Sequence, residues 1–479
     1  MRRPLLLLAW LAAGGLAAQE EEAEKPPAPP APPATGMALY ESDDLAVHAD
    51  FKAGGAFITL DQANFGTGVL SRRTGRPIID PQWAEAYGKP IVTLESGNFY
   101  GGTALVWAGT VGSGDATNVP TDGQLGTQLS NGDAGHVDLE QLYAGWRSGP
   151  DAGRTKDGID ISAGRQDFVV GDGFLINDGN LDAERERGFY VAPRSAWNES
   201  VILRSALLPL RGDVFYLKSD KLTGESRIYG VNVEWIDPDL GTVGAGYMRT
   251  QARSTGNDRN AQWVDTRNNM HVFDLRGQGN PLAALPDLFL SAEYTYENSG
   301  ERAPNSILAD GWYAEAGYKF STLPWTPTLS YRYAHFSGDN ANTDHNESFD
   351  SLFYAASATR GWGTWYMGEI TGLYMLFNSN ENVHMLHLKT APSDMVSVGG
   401  IFYVFSYDQS NSVEKATGGT GVKSAAFGKE LDIYSDWTIS GQWSASVVAA
   451  HFFPDAGGIE AYGNSRGSNL LEMMVSFQW

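Results

Sequence analysis

Cysteine is absent from all 479 residues, which excludes disulfides, thiolate metal sites and cysteine nucleophiles. Basic residues are scarce. Thirty-four Lys and Arg stand against 57 Asp and Glu, a formal net charge of −23, so the overall field does not draw the chain to nucleic acid. No segment after the first twenty residues approaches the roughly 18 consecutive apolar residues of a helical membrane span, and no long amphipathic helix, long repeat or second domain is visible. Any membrane crossing would have to be made by strands closed into a barrel. What the chain does have is glycine (56 residues) and aromatics (21 Tyr, 21 Phe, 14 Trp). That aromatic load exceeds what a soluble core needs and suits two interfacial girdles.

Arg2 and Arg3, an apolar run over 5–13 and the small-x-small pattern Gly15-Leu16-Ala17 read as a secretory signal over 1–18. Residues 19–40 are Glu-rich and then Pro-rich, with Pro26, Pro27, Pro29, Pro30, Pro32 and Pro33. Such a stretch buries no core and is expected to be an extended periplasmic lead. Residues 41–479 are expected to form one antiparallel β-barrel.

The last eleven residues carry the clearest pattern. Leu471, Met473, Val475, Phe477 and Trp479 alternate with Leu470, Glu472, Met474, Ser476 and Gln478, a period of two with one apolar face. An edge strand of a soluble β-protein would alternate in the same way. The terminal aromatic resembles the closing strand of an outer-membrane barrel, although Phe is the commoner last residue there. Similar alternation recurs. Tyr294 and Tyr296 oppose Glu293, Thr295 and Glu297. Trp312 and Ala314 oppose Glu315. Tyr331 and Tyr333 oppose Ser330 and Arg332. Ile433 and Trp437 oppose Asp432 and Asp436. Alternation does not say which face is inside; the signal peptide, the terminal aromatic and the aromatic load favour an all-β transmembrane barrel.

Short turns are expected at 98–101, 208–212, 237–241, 378–382 and 440–442. Long loops are expected at 61–89, 112–136, 168–197, 337–365, 408–427 and 454–468. That alternation of short and long connections is the barrel pattern. The strand tally is nineteen, whereas a bacterial single-chain barrel has an even number. Counts from the two ends clash between Ser337 and Ser440, so either one strand there has been split or another lies within 349–359.

Residues 159–176 read IDISAGRQDFVVGDGFLI. The Gly164-Arg165-Gln166 strand end followed by Gly171-Asp172, the stretch GWGTWYMGEITGLYMLFNSN over 361–380, and GKELD over 428–432 together resemble the alginate-export family of outer-membrane barrels. Their order and spacing span most of the mature chain. The resemblance implies an 18-stranded pore in the cell outer membrane that passes an acidic polysaccharide outward along a lumen lined by Arg and Lys. It also implies loops folded over or into the channel, no cofactor and no covalent chemistry. Cationic side chains would lower the cost of moving a polyuronate through a narrow pore, and the planar fork of Arg suits carboxylates.

The candidate pore residues are Arg165, Arg185, Arg187, Arg194, Arg204, Arg276, Lys319 and Arg332. Arg332, Lys319 and Arg276 fall on polar faces; the side taken by Arg204 stays open. Arg165 shares parity with Ile159 and Ile161, which would place it on lipid at a cost of about 2–4 kcal/mol. A bulge at Gly164, or a position beyond the apolar band, would spare that cost; because Gln166 and Asp167 follow at once, the lumen is the expected side. Arg185, Arg187 and Arg194 are expected near the pore mouth. Asp167, Asp172, Glu293 and Glu315 are the supporting acids. Residues 165–211 hold six Arg but seven Asp or Glu, so these cations could equally be ion pairs of the barrel wall.

Three enzyme-like patterns fail on context. Gly463-Asn464-Ser465-Arg466-Gly467 fits G-x-S-x-G but precedes a strand, where the nucleophile elbow needs a strand and then a helix. His384 and His387, three apart, point to opposite faces of a strand. The acids of 178–186 lack an EF-hand pattern. No metal or enzymatic activity is expected. The expected partners are an anionic polysaccharide or a small anionic solute, outer-membrane lipid and periplasmic secretion proteins. The alternative reading is an uptake porin for small solutes.

Overall fold

In the computed structural model the described residues are 36–70, 76–112, 135–180, 182, 187–220, 224–252, 266–300, 306–355, 362–415 and 418–479. Eighteen strands form a closed antiparallel barrel. They are β1 (Ala46–Asp61), β2 (Gln82–Ser96), β3 (Phe99–Gly112), β4 (Gly135–Arg147), β5 (Gly158–Gln166) and β6 (Trp197–Leu207). Next come β7 (Leu210–Lys218), β8 (Arg227–Asp237), β9 (Gly241–Gln251), β10 (His271–Gly279), β11 (Leu288–Asn298) and β12 (Leu308–Lys319). The last third is β13 (Thr328–Phe336), β14 (Glu381–Ser393), β15 (Val396–Tyr407), β16 (Ala426–Thr438), β17 (Trp443–Pro454) and β18 (Ser468–Gln478). Each strand pairs with its sequence neighbours, and β18 closes on β1 with Lys52 opposite Gln478 and Asp61 opposite Asn469. Closure leaves no barrel strand with an open edge, as a sheet in hydrocarbon requires.

Closure of the barrel assigns the two faces that alternation left open. Met473 and Val475 of β18 are exposed on the outer surface while Glu472, beside Met473 and of opposite parity, is fully buried. Val137 and Leu139, Val201 and Leu203, Val231 and Val233, and Leu386 and Leu388 continue the outer apolar belt around the barrel. Among the described residues no helix is long and apolar enough to cross a membrane.

Two sequence expectations need correction. The short turn at 378–382 does not exist as such, because β13 ends at Phe336 and β14 starts at Glu381. The apolar run between Trp365 and Asn378, which supplied the nineteenth strand, is instead part of one long connection that turns into the barrel, with a π-helical turn over Gly368–Gly372. Most of it is buried whichever way its side chains point, so it lacks the one-faced alternation of a wall strand. The described part of 349–359 holds no named strand either. The sheet does contain a nineteenth member, Met37–Glu41, which pairs with the first residues of β1. It lies partly within the stretch expected to be a lead. The signal segment and the remainder of that lead up to Thr35 lie outside the described residues.

Candidate functional site

The described parts of loops 167–196 and 337–380 leave the same end of the barrel and fold inward. Phe174 packs on Tyr313 of β12 and on Trp365, at 5.4 and 5.3 Å between ring centroids. Trp197 of β6 meets Phe353 at 5.0 Å. The loops also pair with each other. Phe353 N donates to Leu175 O, Asn177 N to Phe353 O and Ala355 N to Gly173 O, at 2.8–2.9 Å. The two loops therefore act as one plug, and aromatic burial holds it against the inward faces of the strands.

Carboxylates of the wall grip this plug by its backbone. Glu85 of β2 accepts from Tyr190 N and Val191 N at 2.8 and 3.0 Å. Glu140 of β4 accepts from Ser195 N and Ala196 N at 2.8 and 3.0 Å. Glu297 of β11 accepts from Asp350 N at 2.9 Å. Glu430 of β16 accepts from Ile370 N and Thr371 N at 2.7 and 2.9 Å. Loop amides taken out of water need acceptors, and a carboxylate is a strong one. Sequence reading missed Glu85, Glu140, Glu297 and Glu430 as a set. Their signal was an acid at the parity opposite the outward apolar residues of its strand.

The expected cations are mostly paired. Arg165 turns inward at a bulge, the first of the two alternatives: the β5–β6 register shifts between Gly164 and Gln166. Gly164 has φ +129°, a conformation that strains a side-chain-bearing residue. Arg165 Nε donates to Glu140 O at 2.9 Å and Nη1 to Asn198 Oδ1 at 2.7 Å. Arg204 lies between Asp160 and Asp213, 3.9 Å from each, so it faces inward. Arg276 binds Asp274 and Glu234 at 2.6 Å each, and Glu293 is buried beside them. Arg332 binds Glu315 through Nε and Nη2 at 2.9 and 2.7 Å. Lys319 is exposed at the turn end of β12. Arg187 and Arg194 are not at a solvent-facing mouth but buried, with Arg194 Nη1 2.8 Å from Asp182 Oδ1. Asp167 accepts from Gln141 and Ser195 side chains. Arg185 lies outside the described residues. Buried acids outnumber buried bases by more than two to one among the described residues.

On the turn side of the plug lies a cavity of about 500 Å³ lined by Asp172, Phe289, Ser291, Glu315, Arg332 and Trp365, among others. Arg332 lies over the Trp365 ring, and Trp365 Nε1 donates to Asp172 O at 3.0 Å. Burial holds the Asp172 carboxyl above its ordinary range, against the pull of Arg332 and Arg276. Gly171 has φ +59°, and a Cβ there would come within 2.6 Å of Arg276 Nε, so the loop tip rests directly on the wall cation. Cations, carboxylates and an aromatic face around one chamber can bind hydroxyls and carboxylates together; they include no nucleophile–base pair. His384 and His387 bond separately to Tyr331 and Tyr434, on opposite faces of β14.

A closed 18-strand barrel with an apolar outside, short turns at one end and inward loops at the other defines an outer-membrane pore protein. The family model for alginate export matches residues 111–475, so the chain belongs to the alginate-export family and resides in the outer membrane. A BenF-like porin from Pseudomonas fluorescens Pf-5 superposes with TM-score 0.53 at 10% identity over 90% of this chain and 98% of that one. Pseudomonas aeruginosa OccK8 (OprE) gives 0.53 at 12% over 90% and 98%, and Acinetobacter baumannii OccAB2 gives 0.52 at 8% over the same shares. At these identities the likeness concerns the fold alone. The sequence matches none of the curated proteins compared with it.

Proposed function

We propose that this barrel exports an anionic, alginate-like polysaccharide through its bore. The observation that supports the reading is the chamber beneath the plug, where Arg332 stacks on Trp365 and shares Glu315. A sugar ring stacks on an aromatic face, a uronate carboxylate suits a guanidinium fork, and Asp172 and Glu315 accept hydroxyl hydrogens. Arg276, Arg165 and Arg204 extend the cationic positions around the wall. Because each has an acid partner, the bore offers exchangeable ion pairs rather than a bare positive funnel, which favours passage over tight capture.

Transport is passive: the polymer diffuses or is pushed from the periplasmic side, where secretion partners would deliver it. Single-channel recording tests the reading. Polyuronate is expected to block the current at concentrations where a neutral glycan of equal length does not. A current indifferent to both sinks export of an acidic polymer and leaves an uptake porin for small solutes.

A further inference from the structure

Where loop 337–380 meets the wall between β16 and β18, four carboxyl groups come together without a cation. Glu430 and Asp432 project from β16, Glu472 from β18 and Glu369 from the π-helical turn of the loop, and none is more than 1% exposed. Glu430 accepts Ile370 N, Thr371 N and, at 2.6 Å, the Thr371 hydroxyl. Asp432 Oδ2 accepts Glu369 N at 3.3 Å, and Tyr374 OH donates to Glu472 Oε1 at 3.1 Å. The side chains of Glu369 and Glu472 also reach each other, as do those of Glu430 and Asp432. Four buried carboxyl groups this close, with no cation among them, cannot all be ionised, so protons must be held among them.

Three further observations point to protons as the species held here. Among the described residues no salt bridge reaches any of the four acids, and no three metal-ligating side chains are arranged to hold a metal ion. Asp432 Oδ1, Glu369 Oε2 and Glu472 Oε2 are buried without a hydrogen-bond partner. So are the hydroxyls of Tyr366 and Tyr190, which are aimed at Glu369 and Glu472 without reaching bonding geometry. The other groups facing the cluster are Tyr403 from β15 and, beyond Tyr374, Glu85 from β2. Arg332 of β13 is the cation whose field reaches Tyr403. None of these neutralises a second or third negative charge inside the cluster.

We propose that this four-carboxyl cluster is a proton-dependent latch: protons shared among Glu369, Glu430, Asp432 and Glu472 hold the loop segment 362–380 in the bore, and their loss releases it. The wall acids sit on strands fixed by two neighbours each, whereas Glu369 sits on a loop, so repulsion moves the loop. An unpaired buried carboxylate is costly, and like charges in contact raise that cost. The ratio of open to closed channels is therefore expected to rise with pH, about tenfold per pH unit for each proton released.

The latch rests on the barrel being a pore, and the two are separable. A variant with residues 362–376 replaced by a short Gly-Ser link reports the unlatched bore. If it conducts no current at any pH, the pore reading fails. For the latch, the wild-type protein in planar bilayers with EDTA is stepped from about pH 6 to about pH 9. Conductance is expected to rise, and in Glu472→Gln and Asp432→Asn, which cannot ionise, the rise is expected to be lost. Hydrogen exchange of wild-type amides 368–376, corrected for the intrinsic rate, needs no variant and is expected to lose protection over the same range. A flat wild-type profile, an unchanged step in a folded neutral variant, or a step that appears only with divalent cations overturns the proposal.

Discussion

The guanidinium of Arg332 lies over the Trp365 ring with 4.6 Å between its central carbon and the ring centroid. Wall and plug therefore share one side chain, because Arg332 also donates to Gly363 O and Thr364 O and binds Glu315. Arg332→Gln removes a desolvated cation–π contact and a charged pair, each of order 2 kcal/mol. Polyuronate block is expected to weaken roughly tenfold or more, and the reversal potential in a salt gradient to shift toward cation preference. Unchanged block would remove Arg332 from the polymer's path.

Glu140 serves two loop amides and two cations, Lys89 at 3.6 Å and Arg165 at 3.7 Å. Glu140→Ala leaves all four without that partner and is expected to cost about 3–5 kcal/mol. Denaturant unfolding in detergent should show the loss, and loop 167–196 should become the first site of proteolytic cleavage. Glu140→Gln keeps an acceptor oxygen and is expected to lose less.

Gly171→Ala forces a Cβ against Arg276 in a left-handed backbone conformation, a penalty of roughly 1–2 kcal/mol. Arg276 is held by Asp274, Glu234 and Asn232 and yields poorly. The expected result is a displaced loop tip and larger open-channel conductance with an unaltered barrel melting temperature.

Met473, midway along β18, faces lipid. Met473→Arg is expected to lower folding stability in bilayers by about 2–4 kcal/mol, the midplane value. Ser476→Arg, three residues on and on the inner face, is expected to cost clearly less. Equal costs would place the hydrocarbon elsewhere.

Burial, with the neighbouring Glu472 carboxyl, holds Glu369 well above the usual carboxylate range. A raised folded-state value means that the stabilising contribution is complete below the unfolded value near 4.5 and is lost as pH rises through the folded one. Glu369→Gln is therefore expected to match the wild type in acid and to exceed it in alkaline solution, read as the denaturant midpoint against pH. A wild-type advantage that grows with pH would contradict the assignment.

Most of the strands and the two-faced alternation of each were legible in the sequence because each is a local property. Leu471, Met473 and Val475 alternate with Glu472 whatever the rest of the chain does. The run between Trp365 and Asn378 misled for the same reason: it is apolar, but its partners are remote. Trp365 bonds to Asp172, 193 residues away, and Tyr374 to Glu472, 98 away.

Residue order alone settled that any membrane crossing would be by strands, since no helical span exists and the period of two is fixed by backbone geometry. It also showed more acids than bases. Whether those acids were surface charges, a repelling lumen or anchors was decided by the fold, because only the side-by-side pairing of β16, β17 and β18 and the inward turn of a loop bring Glu430, Asp432 and Glu472 together around that loop's amides. The wall acids acquire their task from a geometry that encloses them, and burial turns each from a solvated charge into a group that must find a proton or a donor.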